Sequence, residues 1–199
     1  MTINLKNFLK DKQKLSKMGE FQELQEIDGL EISAVSADLY GSGRDDLALF
    51  YFKEGANYAA VYTNNSICSE SITWNKGLRK TSIKALMVNT KNANTFTGSQ
   101  GFEGVETLSK TIAKNLTLRE AQKKEGTTSV IKPNEILFAS TGVIGEKFPT
   151  QKIKECVPNL VEKLRDRRNK FIWFKSASSI MTTDTRPVSY THLTLPTKA

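Results

Sequence analysis

Thr141 and Gly142 lie in the run Phe138-Ala139-Ser140-Thr141-Gly142-Val143-Ile144-Gly145, where an apolar stretch empties into small residues. A threonine hydroxyl and a neighbouring glycine amide can direct two donors at one point. An acyl transfer needs that arrangement where negative charge develops on a carbonyl oxygen. The same residues are also ordinary turn chemistry after a strand, so the pair alone leaves both readings open. A second polar concentration is Ile180-Met181-Thr182-Thr183-Asp184-Thr185-Arg186-Pro187. Its hydroxyls and carboxylate are costly to bury unpaired, so they either cap structure or line a wet site. A third is Asn89-Thr90-Lys91-Asn92-Ala93-Asn94-Thr95-Phe96-Thr97-Gly98, continuing to Gly101. Its asparagines and glycines supply turn conformations and local side-chain bonds, and it opens onto a helix whose first amides could hold an anion. No Gly-Lys-Ser/Thr ends it, so it is not a phosphate-binding P-loop.

Each of these loops needs an element to deliver it. Glu135 to Ala139 reads as a short buried strand ahead of Thr141, and Ser82 to Asn89, nearly continuous in apolar residues, as another ahead of Asn92. Gly29 to Ala37, Leu47 to Phe52 and Tyr58 to Thr63 read as three more, punctuated by Gly41, Gly43 and Gly55, which suggests a run of antiparallel strands. Val105, Leu108, Ile112 and Leu116 recur at helical spacing and leave Lys110, Lys114 and Lys123 outward. Gly126 to Lys132 reads as a loop. A second amphipathic helix runs from Thr150 through Ile153, Val157, Leu160, Val161 and Leu164, with Pro158 expected to kink or restart it. Phe171 to Phe174 is an aromatic cluster that reads as core. Helices bracketing a strand imply a layered α/β architecture.

A chain of 199 residues, 38% hydrophobic and 25% charged, is long enough for one globular domain with a real core. Its apolar runs are strand-sized, far short of the roughly 18 residues of a membrane span, so no membrane partner is expected. The net charge of +8 comes from scattered basic residues. The one tight cluster, Lys163, Arg165, Arg167, Arg168 and Lys170, lacks the interleaved aromatics of a nucleic-acid site and reads as the solvent face and end of a helix. The two cysteines, Cys68 and Cys156, sit in dissimilar settings and read as reduced thiols of a cytoplasmic protein. Neither has a partner at metal-ligand spacing, and His192 is the single histidine, so no metal site is expected. The first 18 residues carry five lysines and a weak apolar face of Leu5, Phe8, Leu9 and Leu15, reading as a solvated helix and not a secretory signal.

In order and rough spacing, from Ile32 to Pro187, the three loops resemble the first half of the ornithine acetyltransferase family of arginine biosynthesis, also called the bifunctional glutamate N-acetyltransferase family. Ala59-Ala60-Val61-Tyr62-Thr63-Asn64-Asn65 resembles that family too. The resemblance implies an N-terminal-nucleophile-like α/β fold and an acetyl transfer from N2-acetylornithine to glutamate through an acetyl-threonine. Some members of the family also take acetyl-coenzyme A as co-substrate, and no other cofactor is implied. It implies that Thr141 and Gly142 are the oxyanion-hole pair, and that Thr182, or Thr183 beside it, contacts the amino-acid substrate. It further implies an α chain that pairs with a β chain cut from the same precursor, the αβ units then forming a homodimer.

In that family the proline of the last loop is followed by a lysine, another strand and the self-cleavage site, whose freed threonine uses its own α-amino group as base. Here Pro187 is followed by Val188 to Ala199, which matches none of that and reads as a non-native tail. The chain therefore divides into a lysine-rich extension over 1–28, the α-chain part over 29–187, and an anomalous tail over 188–199. Met181-Thr182 belongs to the earlier motif, and Thr191, Thr194 and Thr197 lie in the tail. No nucleophile is recognised, so the expectation is a fragment inactive alone. Two other readings stand beside it: an aminopeptidase or amidase of the same nucleophile class, and a non-catalytic module binding an anion at Gly98 to Gly101.

Overall fold

The structure is a computed structural model that describes residue 24 and residues 27–123, 130–166, 170–184 and 186–188. The elements are β1 (Leu30–Val35), β2 (Leu47–Asn57), α1 (Glu70–Gly77), β3 (Ser82–Asn89), α2 (Gly98–Lys123), a 3-10 turn (Pro133–Glu135), β4 (Ile136–Ser140), α3 (Thr150–Glu162), β5 (Arg165–Asp166) and α4 (Lys170–Ser179). The strands form one sheet in the order β4-β3-β2-β1-β5. β1, β2 and β3 pair antiparallel in sequence order, whereas β3 and β4 are parallel, with Ala85 opposite Ile136 and Asn89 opposite Ser140. A parallel pair requires a crossover, and α2 supplies it.

The strand alternation decides which side chains meet the helices. Leu47, Leu49, Tyr51, Ala85, Met87, Ile136 and Phe138 join Val105, Leu108, Ile112 and Leu116 of α2 and Ile153, Val157 and Leu160 of α3 in one buried cluster. The four α2 residues and the three α3 residues are fully buried, and each such side chain contributes about 1.5–3 kcal/mol. Lys110, Lys114 and Lys123 are exposed, as the helical spacing requires. α2 and α3 approach closely because Gly104 has no side chain there: a β-carbon would meet Thr150 Oγ1 and the Phe148 ring. On the opposite sheet face, Leu30 and Ile32 pack with Ile172 of α4, joined by Phe50, Phe52 and Trp173. Phe171 and Phe174, with ring centroids 6.0 Å apart, are half-buried.

β1 also carries polar side chains into the helical layer. Ser33 Oγ donates to the Leu160 carbonyl at 2.6 Å. Glu31 lies against Lys53 Nζ at 3.0 Å, Lys123 Nζ at 3.3 Å and the Arg119 guanidinium. Burial alone would raise its carboxyl, but these three cations outweigh it and hold the group below the ordinary carboxylate value.

The layered α/β architecture, the strands before Asn92 and Thr141, and both long helices agree with the sequence reading. Several details differ. Tyr58 to Thr63 is not a strand: Tyr58 N donates to Thr81 O, β3 begins at Ser82, and the ladder has no further residues for 59–63 to pair with. Val61 is 99% exposed as a result. α3 runs uninterrupted past Pro158, which is exposed, because Val157, Leu160 and Val161 on the other side anchor the turn; it ends at Glu162, and buried Leu164 lies beyond it. The basic cluster is not a helix end. Lys163 is the cap of α3, Arg165 is in β5, paired with Ile32, and 167–169 lie outside the described residues. α1 and α4 are helices that apolar spacing does not reveal. The lysine-rich start, most of the Gly126 to Lys132 loop and the tail beyond Val188 lie outside the described residues.

Candidate active site

Parallel pairing of β3 and β4 sends both chains out of the sheet on the same side, and the two exit loops continue the pairing. Thr141 N donates to Asn89 O at 3.1 Å, Val143 N to Lys91 O at 2.9 Å, and Ala93 N to Val143 O at 2.9 Å. Gly145 N then donates to Thr95 O at 2.9 Å. Gly142 stands in this contact with φ +139, and a β-carbon on it would collide with the Lys91 carbonyl group and the Asn92 nitrogen. Only glycine lets the loops close to this distance. Among the described residues, neither the Thr141 hydroxyl nor the Gly142 amide has a hydrogen-bond partner, and both residues are solvent-accessible. Two adjacent donors therefore stand free on a turn whose backbone is fixed on either side.

A buried polar chain holds that turn. Ser71 of α1 and Ser140 share a hydroxyl contact of 2.7 Å, and Ser140 Oγ donates to Asn89 Oδ1 at 2.7 Å. Asn89 Nδ2 donates to Asn92 O at 2.9 Å. Asn92 Nδ2 reaches the Glu146 carbonyl at 3.0 Å, while its Oδ1 accepts from Asn94 N at 2.7 Å. Asn94 completes the chain by accepting from Thr97 Oγ1 at 2.8 Å and donating to Gly101 O at 3.3 Å. Asn89, Asn92 and Asn94 are all buried and engaged within the protein, so here they build the loops and leave ligand contact to others. Fully satisfied networks of this kind rigidify a site. Gly101 is likewise buried against Thr97 and Asn94.

The Ile180 to Pro187 loop starts from the end of α4, which lies against the exit of β3 on its other side. Thr90, directly after β3, donates its hydroxyl to Ser179 O at 3.2 Å, at the end of α4. Thr182 is half-buried and Thr183 exposed, and among the described residues neither hydroxyl has a partner. Arg186 Nη1 is buried without a hydrogen-bond partner among the described residues, which leaves a cationic donor unengaged in this loop. The exit of β3, Asn89 to Asn92, is thus backed by Thr141–Gly142 on one side and by the end of α4 on the other. The loops after β3 and β4 meet there, and the third loop departs from the end of α4 beside them.

Two contributors carry no obvious sequence signal. Asp46, fully buried, accepts from Ala37 N and Leu39 N at 2.7 Å each, and its backbone carbonyl accepts from Thr90 N at 2.9 Å. Burial pushes its carboxyl above the ordinary value against the pull of those two amides, and Asp38 and Asp45 add to the rise. Arg44 is the other, donating its Nη2 to Met181 O at 2.7 Å. Cys68 and Cys156 are both free; burial raises the Cys156 thiol, with Asp46 and Glu155 adding to it. Among the described residues no group of acids, histidines and cysteines could hold a metal, and no helix is long and apolar enough to cross a membrane.

Known proteins resemble this chain in sequence and fold. The family model described as ArgJ matches residues 31–197. The arginine biosynthesis bifunctional protein ArgJ of Gluconobacter oxydans is 35% identical over 166 residues, covering 83% of this chain and 35% of that protein. The ArgJ protein of Pseudomonas fluorescens is 31% identical over 170 residues, covering 85% of this chain and 38% of that one. The chain therefore spans little more than a third of the length of these curated relatives. Among solved structures, ornithine acetyltransferase complexed with ornithine from Mycobacterium tuberculosis aligns with TM-score 0.68 and 26% identity, covering 79% of this chain and 77% of that one. The Bacillus halodurans ArgJ structure, at 23% identity and TM-score 0.66, shares the fold.

Proposed function

The chain belongs to the ArgJ family, and on that premise we propose that it is the acyl-transfer half-site of a glutamate N-acetyltransferase acting in arginine biosynthesis. In this reading the acetyl group moves from N2-acetylornithine to a threonine hydroxyl and then to the amine of glutamate. Thr141 Oγ1 and Gly142 N donate to the oxyanion of each tetrahedral intermediate. The observation that carries the proposal is the pair of unengaged donors on a turn fixed by backbone bonds to Asn89 and Lys91. Preorganised donors of this kind each contribute roughly 10²–10³ in rate.

In the first step the nucleophile's oxygen bonds to the acetyl carbon, and its proton passes through the base to the departing ornithine amine. In the second, glutamate's amine bonds to the same carbon and the threonine oxygen leaves, recovering a proton. Thr182 or Thr183 contacts the amino-acid part of the substrate. The nucleophilic threonine and its α-amino base belong to a β chain cut from the same precursor, so the 199 residues alone are inactive, and the working unit is an αβ pair that dimerises in the cytoplasm. The span of little more than a third of the relatives' length supports this division.

Titration of the isotope-labelled chain with N2-acetylornithine, followed by amide NMR, tests this reading. The amides of Thr141, Gly142, Thr182 and Thr183 are expected to shift together, with no acetylglutamate formed when glutamate is added. Shifts confined to other residues overturn the site, and acetyl transfer by the 199 residues alone overturns the division of labour.

A further inference from the structure

The loop between β1 and β2 lies outside all three motifs yet touches two of them. Asp46 shapes it by drawing Ala37 N and Leu39 N onto its carboxylate at 2.7 Å each. The neighbouring residues are thereby presented to α4. Asp45 Oδ2 lies 3.3 Å from Lys175 Nζ, which also donates to Ala34 O at 2.9 Å. Arg44 Nη2 donates to Met181 O at 2.7 Å and Ser178 O at 3.3 Å, with its guanidinium 4.4 Å from the Tyr40 ring centroid. The last carbonyls of a helix have no partners within it, and the negative end of the helix dipole favours a cation there. Arg44 answers both needs at α4.

Met181 immediately precedes Thr182. The Asp46 carbonyl, meanwhile, accepts Thr90 N at 2.9 Å and Thr90 Oγ1 at 3.3 Å, and the same Thr90 hydroxyl donates to Ser179 O at 3.2 Å. One loop thus grips the exit of β3, which backs Gly142, and the carbonyl from which Thr182 and Thr183 depart. The geometry points to Arg44 as a positioning residue that fixes the distance between the substrate-contacting threonines and the Thr141–Gly142 donors. It acts through the Met181 carbonyl and touches no substrate itself. The role rests on the reading of Thr182 and Thr183 given above.

The test uses the full 199-residue chain with Arg44→Ala and Arg44→Lys, hydrogen exchange of individual amides, and titration with N2-acetylornithine. Loss of a charged hydrogen bond corresponds to roughly a tenfold or greater change in a local equilibrium. In Arg44→Ala, the hydrogen-bonded amides of Ile180 and Met181 are expected to exchange about tenfold faster while those of β3 and β4 keep their protection. The acetylornithine-induced shifts at Thr182 and Thr183 then require about tenfold more ligand. Arg44→Lys keeps one donor without the planar fork or the ring stack, so it falls between wild type and alanine. Thr90→Val, which removes the second tie to α4, should reproduce the pattern if Arg44→Ala does not fold.

Unchanged exchange at Ile180 and Met181 in Arg44→Ala overturns the positioning role even if wild type binds the ligand as proposed. Faster exchange throughout the chain, without local preference, overturns it as well. If the wild-type chain shows no ligand shift at Thr182 and Thr183, the substrate reading has failed on its own account, and the positioning role falls with it.

Discussion

Gly142→Ala is the most informative perturbation of the site because it leaves the Thr141 hydroxyl and the Gly142 amide chemically intact. Alanine at φ +139 sits in a sparsely populated region, at a cost of about 1–3 kcal/mol. Its methyl also collides with the Lys91 carbonyl group and the Asn92 nitrogen, backbone atoms held between the Val143 N bond to Lys91 O and the Ala93 N bond to Val143 O. Overpacking of this kind costs about another 1–3 kcal/mol. The sum, about 2–6 kcal/mol, is a large part of the 5–15 kcal/mol typical of a domain. Gly43→Ala is the matched control: Gly43 also has positive φ, +66, but nothing lies within 4 Å of where its β-carbon would be. That change should cost only the conformational term, about 1–2 kcal/mol. Urea unfolding with a slope of about 1–3 kcal/mol/M should show the Gly142→Ala midpoint falling by about 1 M or more, and further than that of Gly43→Ala. Equal midpoints for the two variants would refute the claim that the β3 and β4 exit loops close against each other at Gly142.

The sheet and the polar chain make further predictions. Glu31→Gln removes the acid that Lys53, Lys123 and the largely buried Arg119 share, leaving Arg119 its contact with Glu120; Lys53 and Lys123 can rehydrate, so a loss of about 2–3 kcal/mol in chemical unfolding is expected. Because the folded Glu31 carboxyl titrates below its ordinary value of 4.5, its contribution is fully present above that pH and is lost as pH falls through the lower folded value. Acid unfolding of Glu31→Gln should accordingly show a shallower fall of stability below about pH 4.5 than wild type, and an unchanged slope would contradict the hold of the three cations on that carboxylate. Asn89→Ala leaves the Asn92 carbonyl without its partner and the Ser140 hydroxyl with Ser71 alone. One orphaned carbonyl and one lost hydroxyl bond cost about 2–4 kcal/mol together, measurable as a lower urea midpoint, whereas a loss under 1 kcal/mol would show that water replaces the side chain freely.

Periodicity made the core legible in the sequence wherever one face of an element was buried. Val105, Leu108, Ile112 and Leu116 mark α2, and the near-continuous apolar run of β3 marks a strand with one face buried and the other partly covered. It failed where packing, not pattern, makes the element. α1 has a single buried residue, Ser71, and is fixed by its Ser69 cap and by bonds from Trp74 and Asn75 to the edge of β4. Tyr58 to Thr63 has strand composition but no partner strand, which no local pattern can reveal. The candidate site divides in the same way. Thr141, Gly142, Thr182 and Thr183 were visible as residue types, because exposed hydroxyls and glycine beside apolar runs are conspicuous. Arg44 and Asp46 were not, since each matters through a contact with a distant part of the chain: Arg44 and Met181 are 137 positions apart.

That separation sets an order of assembly. At about 5–20 residues per second of synthesis, Arg44 emerges about 7–30 s before Met181. The β1–β2–β3 meander and the α2 crossover to β4 are complete in the nascent chain well before α4 exists, so the Thr141–Gly142 turn is in place first. Until α4 arrives, Leu30 and Ile32 lack their cover of Ile172, and Phe50 and Phe52 lack Trp173. The growing chain thus carries an open apolar sheet face through its last stage of folding, a natural landing place for chaperones and the point at which aggregation would begin.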